Sequence, residues 1–418
     1  MPRARHTLAV LLLTLPPGVL DAEEYWGYSY RNVEVMAAGN PTYATNLARY
    51  CVRLDALLSR ILGVRPGYRT PTHIYALAAE QLRAYLGSGS ASVRTTAYDV
   101  IVVSNNDRAP GSDYWGPYFG YTAGMLALQK QLKGPDWYME GLPLVFASTS
   151  FEHGRAKLGN IDVGYGEQLG QGGALIPLRI FLKQRKQEVV ALRPPSMYEA
   201  EAWALAHEIF VEGWHRAEFT QYLDSMRQGT EETAAFKASF QISYEQLPKD
   251  FEYAIHQRPS VYTLAVPEDV AARDEPPQRM SEAEIKGRLA RLSLWYEHGP
   301  DPLPLASEAL QLDPRNETAL RALAIARLTH GDFTEALATV DKLSALTHSP
   351  AGSADAGDVL LTLAGVVQRG TASLPVDAQT LRQRAKENYA KALTTDPENR
   401  QALGGLAILE RTPGDAPR

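Results

Sequence analysis

The histidines are the first side chains to consider for metal chemistry. His207 and Glu208 stand side by side, as in the H-E-x-x-H pattern, where two histidines one helical turn apart ligate zinc and the glutamate polarises a bound water. Val211 occupies the position of the second histidine, and the next histidine, His215, lies beyond Gly213. The pattern therefore favours an ordinary helix histidine over a three-ligand zinc site.

A catalytic nucleophile is equally hard to find in the sequence. No serine stands in a G-x-S-x-G turn, and Cys51, the only cysteine, has no histidine close to it along the chain. Leu47, Leu54 and Leu58 surround Cys51 at helical spacing, which predicts a buried thiol that packs as a small apolar side chain.

The predicted secondary structure, which would position any catalytic residues, changes along the chain. Alternating, β-branched stretches predict strands over 25–37, 70–77 and 95–103, separated by helices. Helical periodicity prevails from 118 to 256. The first part of the chain is therefore predicted to be an α+β domain, a small mixed sheet followed by helices.

The last third of the chain repeats itself. The pattern A-L-x-x-D-P-x-N-x-x-A-L-x-x-L-A begins at Ala309 and recurs at Ala392, and Gly331-Asp332-Phe333 marks a helix-turn-helix unit between the copies. This region resembles the tetratricopeptide repeat, in which stacked helix pairs build a binding surface. The resemblance implies an all-α repeat domain over 282–418. A polar, proline-rich linker over 261–281 is expected to separate it from the first domain, with few contacts across it.

A second resemblance lies in residues 117–126, P-Y-F-G-Y-T-A-G-M-L, followed by residues 135–142, P-D-W-Y-M-E-G-L. These segments resemble the gluzincin-type domains of the peptidase MA-like group, where one helix carries H-E-x-x-H and a P-x-W-x-x-E-G-L segment supplies the third zinc ligand. The likeness implies a metallopeptidase-like domain over 23–260. In this alignment Phe119 and Ala123 stand at the two histidines, Gly120 at the general base and Glu140 at the third ligand.

Three of these four positions carry residues that cannot ligate zinc or activate its bound water. Phe119 and Ala123 offer no lone pair, and Gly120 has no side chain, so Glu140 would be a single carboxylate for a metal that takes three protein ligands in catalytic sites. The resemblance therefore implies a lost zinc site, no cofactor and no catalysis. The alternative is a metal-dependent hydrolase with rebuilt ligands, to which His153 could add one ligand at most.

Aromatic residues around the former metal site form the first set of candidate binding residues. They are Tyr118, Tyr121, Trp137 and Tyr138. Their rings either line a cleft for an extended peptide or fill the space that the metal site has vacated.

Arginines of the repeats form the second set. The first helix of each pair would line a groove, which makes Arg321, Arg327 and Arg411 candidate contacts to a partner, because guanidinium groups bind carboxylates well. The alternative is that these arginines only solvate a helix face.

The start of the chain and its charge bear on location and partners. Arg3 and Arg5 precede an apolar run over 8–15 and then Pro16-Pro17-Gly18, which is typical of a signal peptide, here over 1–22. The run is too short to span a bilayer, which needs about 20 apolar residues, and no later segment approaches that length. The net charge of -6 argues against nucleic acid as a partner.

Together these patterns predict an exported pseudo-peptidase, periplasmic or secreted, with helical repeats. It would act as a binding or scaffolding protein for another exported protein or peptide. A third interpretation makes the first domain a structural platform for the repeats.

Overall fold

The computed structural model describes most of the chain after residue 23. The described residues are 24–31, 33–62, 72–86, 91–94, 99–104, 123–124, 134–160, 169, 175–183, 185–191, 193–241, 251, 261–266, 276–296 and 299–410. The expected signal peptide lies outside these ranges, as do Tyr118, Phe119, Gly120, Tyr121 and Arg411.

A mixed sheet opens the fold. Its strands are β1 Tyr25–Tyr30, β2 Val33–Ala38, β3 Thr72–Leu77, β4 Ala91–Arg94, β5 Asp99–Ser104 and β9 Gln278–Arg279. Their spatial order is β4-β5-β3-β2-β1-β9. The central strands β2, β3 and β5 are parallel, whereas β1, β4 and β9 pair antiparallel. One strand was expected over 25–37, and the structure has two, because Arg31 reverses the chain with a left-handed φ of 52°.

In the described part of the first region, helices first alternate with the strands of the sheet and then prevail after β5, as expected. They are α1 Pro41–Leu62, α2 Ala79–Leu86, α3 Asp136–Ala147, α4 Leu178–Lys183, α5 Lys186–Val190, α6 Pro195–His207, α7 Arg216–Arg227 and α8 Glu232–Ser239. A π-helical turn, Glu208–Glu212, extends α6. A smaller antiparallel sheet consists of β6 Ser150–Glu152, β7 Arg155–Leu158 and β8 Tyr262–Ala265.

Helices α3 and α6 cross at the centre of this region. A Cβ atom on Gly141 would overlap the backbone oxygen of Ala202, so only glycine fits at the crossing. The apolar faces of both helices join one core with α1 and with the first face of the sheet, to which Val35 and Ile74 contribute. Burial of this apolar surface is the main force that holds α3 and α6 in place.

The rest of the described chain is an array of helices. They are α9 Glu282–Ser293, α10 Pro302–Leu312, α11 Glu317–His330, α12 Phe333–Leu346, α13 Pro350–Gln368, α14 Ala378–Thr395 and α15 Arg400–Glu410. Side chains cap several of them: Ser281 forms a capping box with Glu284, and Asn316 accepts from the backbone N–H of Ala319 at 2.9 Å. Alternate helices α9, α11, α13 and α15 contact one another in turn, and each also packs against its neighbour in the chain.

The array rests directly on the sheet. Met280, Leu289 and Leu292 pack against the second face of the sheet together with Met36 and Tyr75. The Tyr85 hydroxyl of α2 donates to the backbone oxygen of Leu289 at 3.0 Å. The expectation of few contacts between the two regions is therefore wrong for the described residues: β9 pairs with the edge strand β1, and α9 packs on a sheet face that α2 covers only in part.

A charged cluster lies on the same junction. Nδ1 of His73 lies 3.3 Å from Oε2 of Glu34, and Nη1 of Arg288 lies 3.7 Å from the same oxygen. The hydrogen bond from His73 and the charge of Arg288 lower the pKa of Glu34 to about 2. Glu34 is thus a carboxylate at neutral pH and joins the sheet to α9.

None of the described helices combines the length and the apolar character that a bilayer crossing requires.

Candidate functional site

Glu140, the expected third zinc ligand, is paired with a lysine. Its Oε2 lies 3.2 Å from Nζ of Lys186, and Oε1 of Glu199 lies at the same distance from that ammonium group. The three side chains come from α3, α5 and α6, and each is less than one third exposed. The position beside Glu140 is therefore held by a cation that the protein itself supplies.

Contacts of its backbone and of its ammonium group hold Lys186 beside Glu140. Lys186 is the first residue of α5, and its backbone N–H donates to Oδ2 of Asp136 at 2.7 Å, at the start of α3. Its Nζ also lies 5.8 Å from the centre of the Tyr198 ring. Partial burial lowers the pKa of Lys186, but the Glu140 and Glu199 carboxylates outweigh it and raise the pKa above its ordinary value. The lysine is thus protonated over the whole physiological pH range.

Ala123, the expected second histidine position, is fully buried in the core. Next to it, a Cβ atom on Gly124 would lie 3.5 Å from Cα of Pro143, so this segment packs against α3. Phe119 and Gly120 fall outside the described residues. Among the residues that the structure does describe, no three His, Cys, Asp or Glu side chains converge as a metal would require.

His207 lies apart from the other two candidate histidines. It is fully buried at the end of α6, where its ring stacks on Trp203 with the centroids 4.8 Å apart. His215 precedes α7 with a left-handed φ of 45° and lies 3.6 Å from Glu218, while His153 sits exposed in the turn between β6 and β7. The three histidines are held by separate local structures.

The aromatic residues expected around the metal position of the alignment are in the core where the structure describes them. Trp137 is fully buried and makes an edge contact with Phe219, and Tyr138 is also buried. Burial raises the pKa of Tyr138 to about 12, and Arg227 Nη2 donates to its hydroxyl at 3.4 Å. These two rings fill space beside α7 and do not line an open cleft.

Glu201 is a titratable group that the sequence analysis missed. It lies on α6 next to the crossing with α3, is fully buried, and accepts from the backbone N–H of Ile176 at 2.8 Å. Desolvation raises its pKa to about 7, against the smaller opposing effects of the Ile176 hydrogen bond and the Arg193 charge. No local motif marks Glu201, because its burial depends on segments distant in the sequence.

In the array, Arg321 lies inside the helical stack and not on an open groove. Its Nε donates to Oδ2 of Asp355 at 2.7 Å, and Arg291 Nη1 donates to the same oxygen at 2.7 Å. Gln401 Nε2 donates to the other oxygen, Oδ1, at 2.8 Å. Although burial raises it, the two guanidinium charges hold the pKa of Asp355 well below its usual range. Asp355 therefore ties α13 to α9, α11 and α15.

Arg327 also binds within the array. Its Nη1 donates to Oγ1 of Thr339 at 2.6 Å, on the paired helix α12, and lies 3.5 Å from Oε2 of Glu335. Its side chain is about one quarter exposed. Arg327 therefore joins α11 to α12.

No family model matches this chain, and no curated protein matches it. The metallopeptidase-like and tetratricopeptide-like resemblances therefore stay predictions.

Proposed function

We propose that this protein is an exported pseudo-peptidase whose helical repeats bind another exported protein or peptide, so that it acts as a scaffold and not as a catalyst. The observation that carries the proposal is the Lys186 ammonium group at 3.2 Å from Glu140. In the metallopeptidase-like alignment this carboxylate would face zinc. A lysine that already pairs with it reduces the electrostatic gain from binding a metal there.

The arrangement of the array supports the binding half of the proposal. Successive first helices α9, α11, α13 and α15 lie next to one another, as stacked helix pairs in a repeat protein do. Such arrays present extended surfaces for partners. Because Arg321 and Arg327 are engaged inside the stack, the partner would contact other side chains of these helices.

The junction favours a second candidate function, the structural platform. Because α9 closes the second face of the sheet, the first region holds the start of the array in one orientation. In that case the first region contributes rigidity, and the partner touches the array alone.

The test uses the full chain purified without chelator. We expect substoichiometric zinc by mass spectrometry and no hydrolysis of peptide substrates, with or without added zinc. Glu140→Gln and Lys186→Met serve as matched variants and should behave like the parent. Stoichiometric zinc with an activity that Glu140→Gln abolishes would overturn the proposal and support a metal-dependent hydrolase with rebuilt ligands.

The partner is sought by isolating the full chain from its native envelope after mild cross-linking. A single exported protein that is enriched with the parent, and lost when exposed side chains of the array are replaced, supports the binding function. Enrichment that follows exposed residues of α7 or α8 instead would place the contact on the first region.

A further inference from the structure

The contact between the sheet and α9 has an apolar part and a polar part. Side chains alternate along a strand, so Glu34 and Met36 of β2 share one face of the sheet, as do His73 and Tyr75 of β3. Met36 and Tyr75 belong to the apolar part. Two residues earlier on each strand, Glu34 lies opposite His73 in the parallel pairing of β2 with β3. The polar end of the junction consists of Glu34, His73, Arg288 and Arg291.

Positive groups outnumber negative ones at the polar end of the junction and beside it. Nη1 of Arg288 lies 3.7 Å from Oε2 of Glu34, and the charge of Arg321 on α11 also lowers the pKa of Glu34. Arg291 and Arg321 both donate to Asp355, each at 2.7 Å. These described groups are three guanidinium groups and two carboxylates, so they carry one net positive charge without any contribution from the histidine.

His73 stands among these charges with little access to water. Its side chain is 17% exposed, and the described charged groups that act on it are Glu34 of β2 and Arg288 and Arg291 of α9. On its other side, β5 presents the apolar Val100. Burial above all, and then the two guanidinium charges, lower the pKa of His73 below its ordinary value of 6.5, although the hydrogen bond with Glu34 opposes them. The imidazole is therefore neutral at neutral pH, and a proton on it would add a further positive charge to the cluster.

We propose that His73 makes the attachment of the helical array to the sheet sensitive to acid: when its imidazole takes up a proton, the polar end of the junction opens and α9 loosens on the sheet. The added charge stands close to Arg288 and Arg291, and Glu34 already serves Arg288 as a counter-charge. Because both arginines lie on α9, their repulsion from the protonated imidazole acts on the helix that begins the array. This inference does not depend on the proposed binding function.

The direction of the effect follows from a comparison of the closed junction with an open one, in which water surrounds His73. In the open state the pKa of His73 returns to its ordinary value of 6.5, whereas in the closed state it is lower. Between the two values only the open state binds the proton, so falling pH favours opening by up to about tenfold per pH unit. Glu34, with a pKa of about 2 when the junction is closed and an ordinary value of 4.5, acts in the same direction only at lower pH.

The experiment measures how often α9 leaves the sheet in the full chain. In a Cys51→Ala background, Leu289→Cys places one thiol in the apolar contact, where Leu289 is 3% exposed. A pyridyl disulfide, which also reacts with thiols in acid, labels it, and the rate is divided by that of the denatured chain at the same pH. We expect this ratio to rise at least about threefold from pH 7 to pH 5.5, within the tenfold per pH unit that one linked proton allows.

His73→Gln in the same background should leave the ratio flat, because glutamine can donate to Glu34 but does not titrate. His330→Gln, at the exposed end of α11, is the matched control and should keep the rise of the parent. Arg288→Met leaves His73 in place and should reduce the rise, since one cation fewer lets the closed junction accept the proton. Melting curves at both pH values verify that each variant is folded.

A labelling ratio of the parent that stays the same between pH 7 and pH 5.5 would overturn the proposal. So would a His73→Gln variant that keeps the full rise, since the titrating group would then lie elsewhere. If His73→Gln does not fold, an Arg288→Met variant with a rise as large as that of the parent overturns it in the same way.

Discussion

Lys186 is the residue that bears most directly on the metal position expected from the sequence. Its ammonium group lies between two carboxylates that come from different helices, so a single positive charge partly offsets a pair of negative charges. A metal would do the same with a higher charge and stricter geometry. A lysine offers no coordination position at which a water could be activated. Its presence beside Glu140 therefore favours a structural role for this cluster.

The first prediction concerns the strength of this pairing. Lys186→Met should lower the free energy of unfolding by about 1 kcal/mol, and the double variant with Glu140→Gln should show a coupling of about 0.5 kcal/mol, because partly exposed ion pairs are worth little more. Urea denaturation of the four proteins of the cycle measures it. Lys157→Met, which removes an exposed pair with Glu152, is the control and should change stability less. A coupling of zero would mean that the contact contributes nothing in solution.

The second prediction concerns Glu201 and pH. In the folded protein its pKa is about 7, whereas in the unfolded chain it has the ordinary value of 4.5. Between these two values the folded state keeps a proton that the unfolded state releases, so rising pH lowers the free energy of unfolding, by up to about 3 kcal/mol in total. Glu201→Gln should remove this dependence and raise stability at alkaline pH, since the amide oxygen can still accept from Ile176.

The measurement is the melting temperature of parent and variant across this pH range. Glu199→Gln, two positions earlier on α6 and partly exposed beside Lys186, is the matched control and should keep the slope of the parent. Parallel curves for the parent and Glu201→Gln would show that Glu201 titrates normally in the folded protein.

Much of the secondary structure could be predicted from the sequence, because it depends on local patterns. Helix α7, Arg216–Arg227, lies in the stretch predicted to be helical, since its apolar residues recur at helical spacing between the glycines at 213 and 229. The prediction of one strand over 25–37 missed the turn at Arg31, because nothing in the arginine side chain requires a left-handed backbone.

The contacts that define the candidate site could not be predicted in the same way. The pairing of Glu140 with Lys186, and of Arg321 with Asp355, joins segments far apart in the sequence. No spacing rule links such residues. The sequence therefore indicated which positions lack metal ligands, but not what stands beside Glu140 instead.

At the scale of elements, the third prediction concerns Asp355. Its carboxylate binds side chains from three other helices and is fully buried between two arginines. Asp355→Ala leaves both guanidinium groups buried without their counter-charge and should cost about 3 kcal/mol or more. Asp341→Ala, which removes the surface pair with Arg384, is the matched control and should cost less than about 1 kcal/mol. Chemical denaturation checks both values, and equal losses would contradict the role of Asp355 in joining the helices.

At the scale of the whole molecule, the fourth prediction concerns the connection between the two regions. A protease should cut between residues 267 and 275, but the two pieces should stay together in gel filtration, because Met280, Leu289 and Leu292 remain packed on the sheet. Met280→Asp should let the pieces separate, since it places a carboxylate in the apolar contact between α9 and the sheet. Arg279→Ala, at the exposed neighbouring position, should not. Pieces of the parent that elute separately would mean that the junction is weak.

The placement of α9 on the sheet also sets the order in which the chain can fold during its synthesis. Five of the six described strands of this sheet are made first, yet only α2 covers part of their second face until residue 292 has emerged, 188 residues after Ser104. Until then Met36, Tyr75 and Val102 present an apolar surface to the solvent, which is a risk of aggregation for any nascent chain.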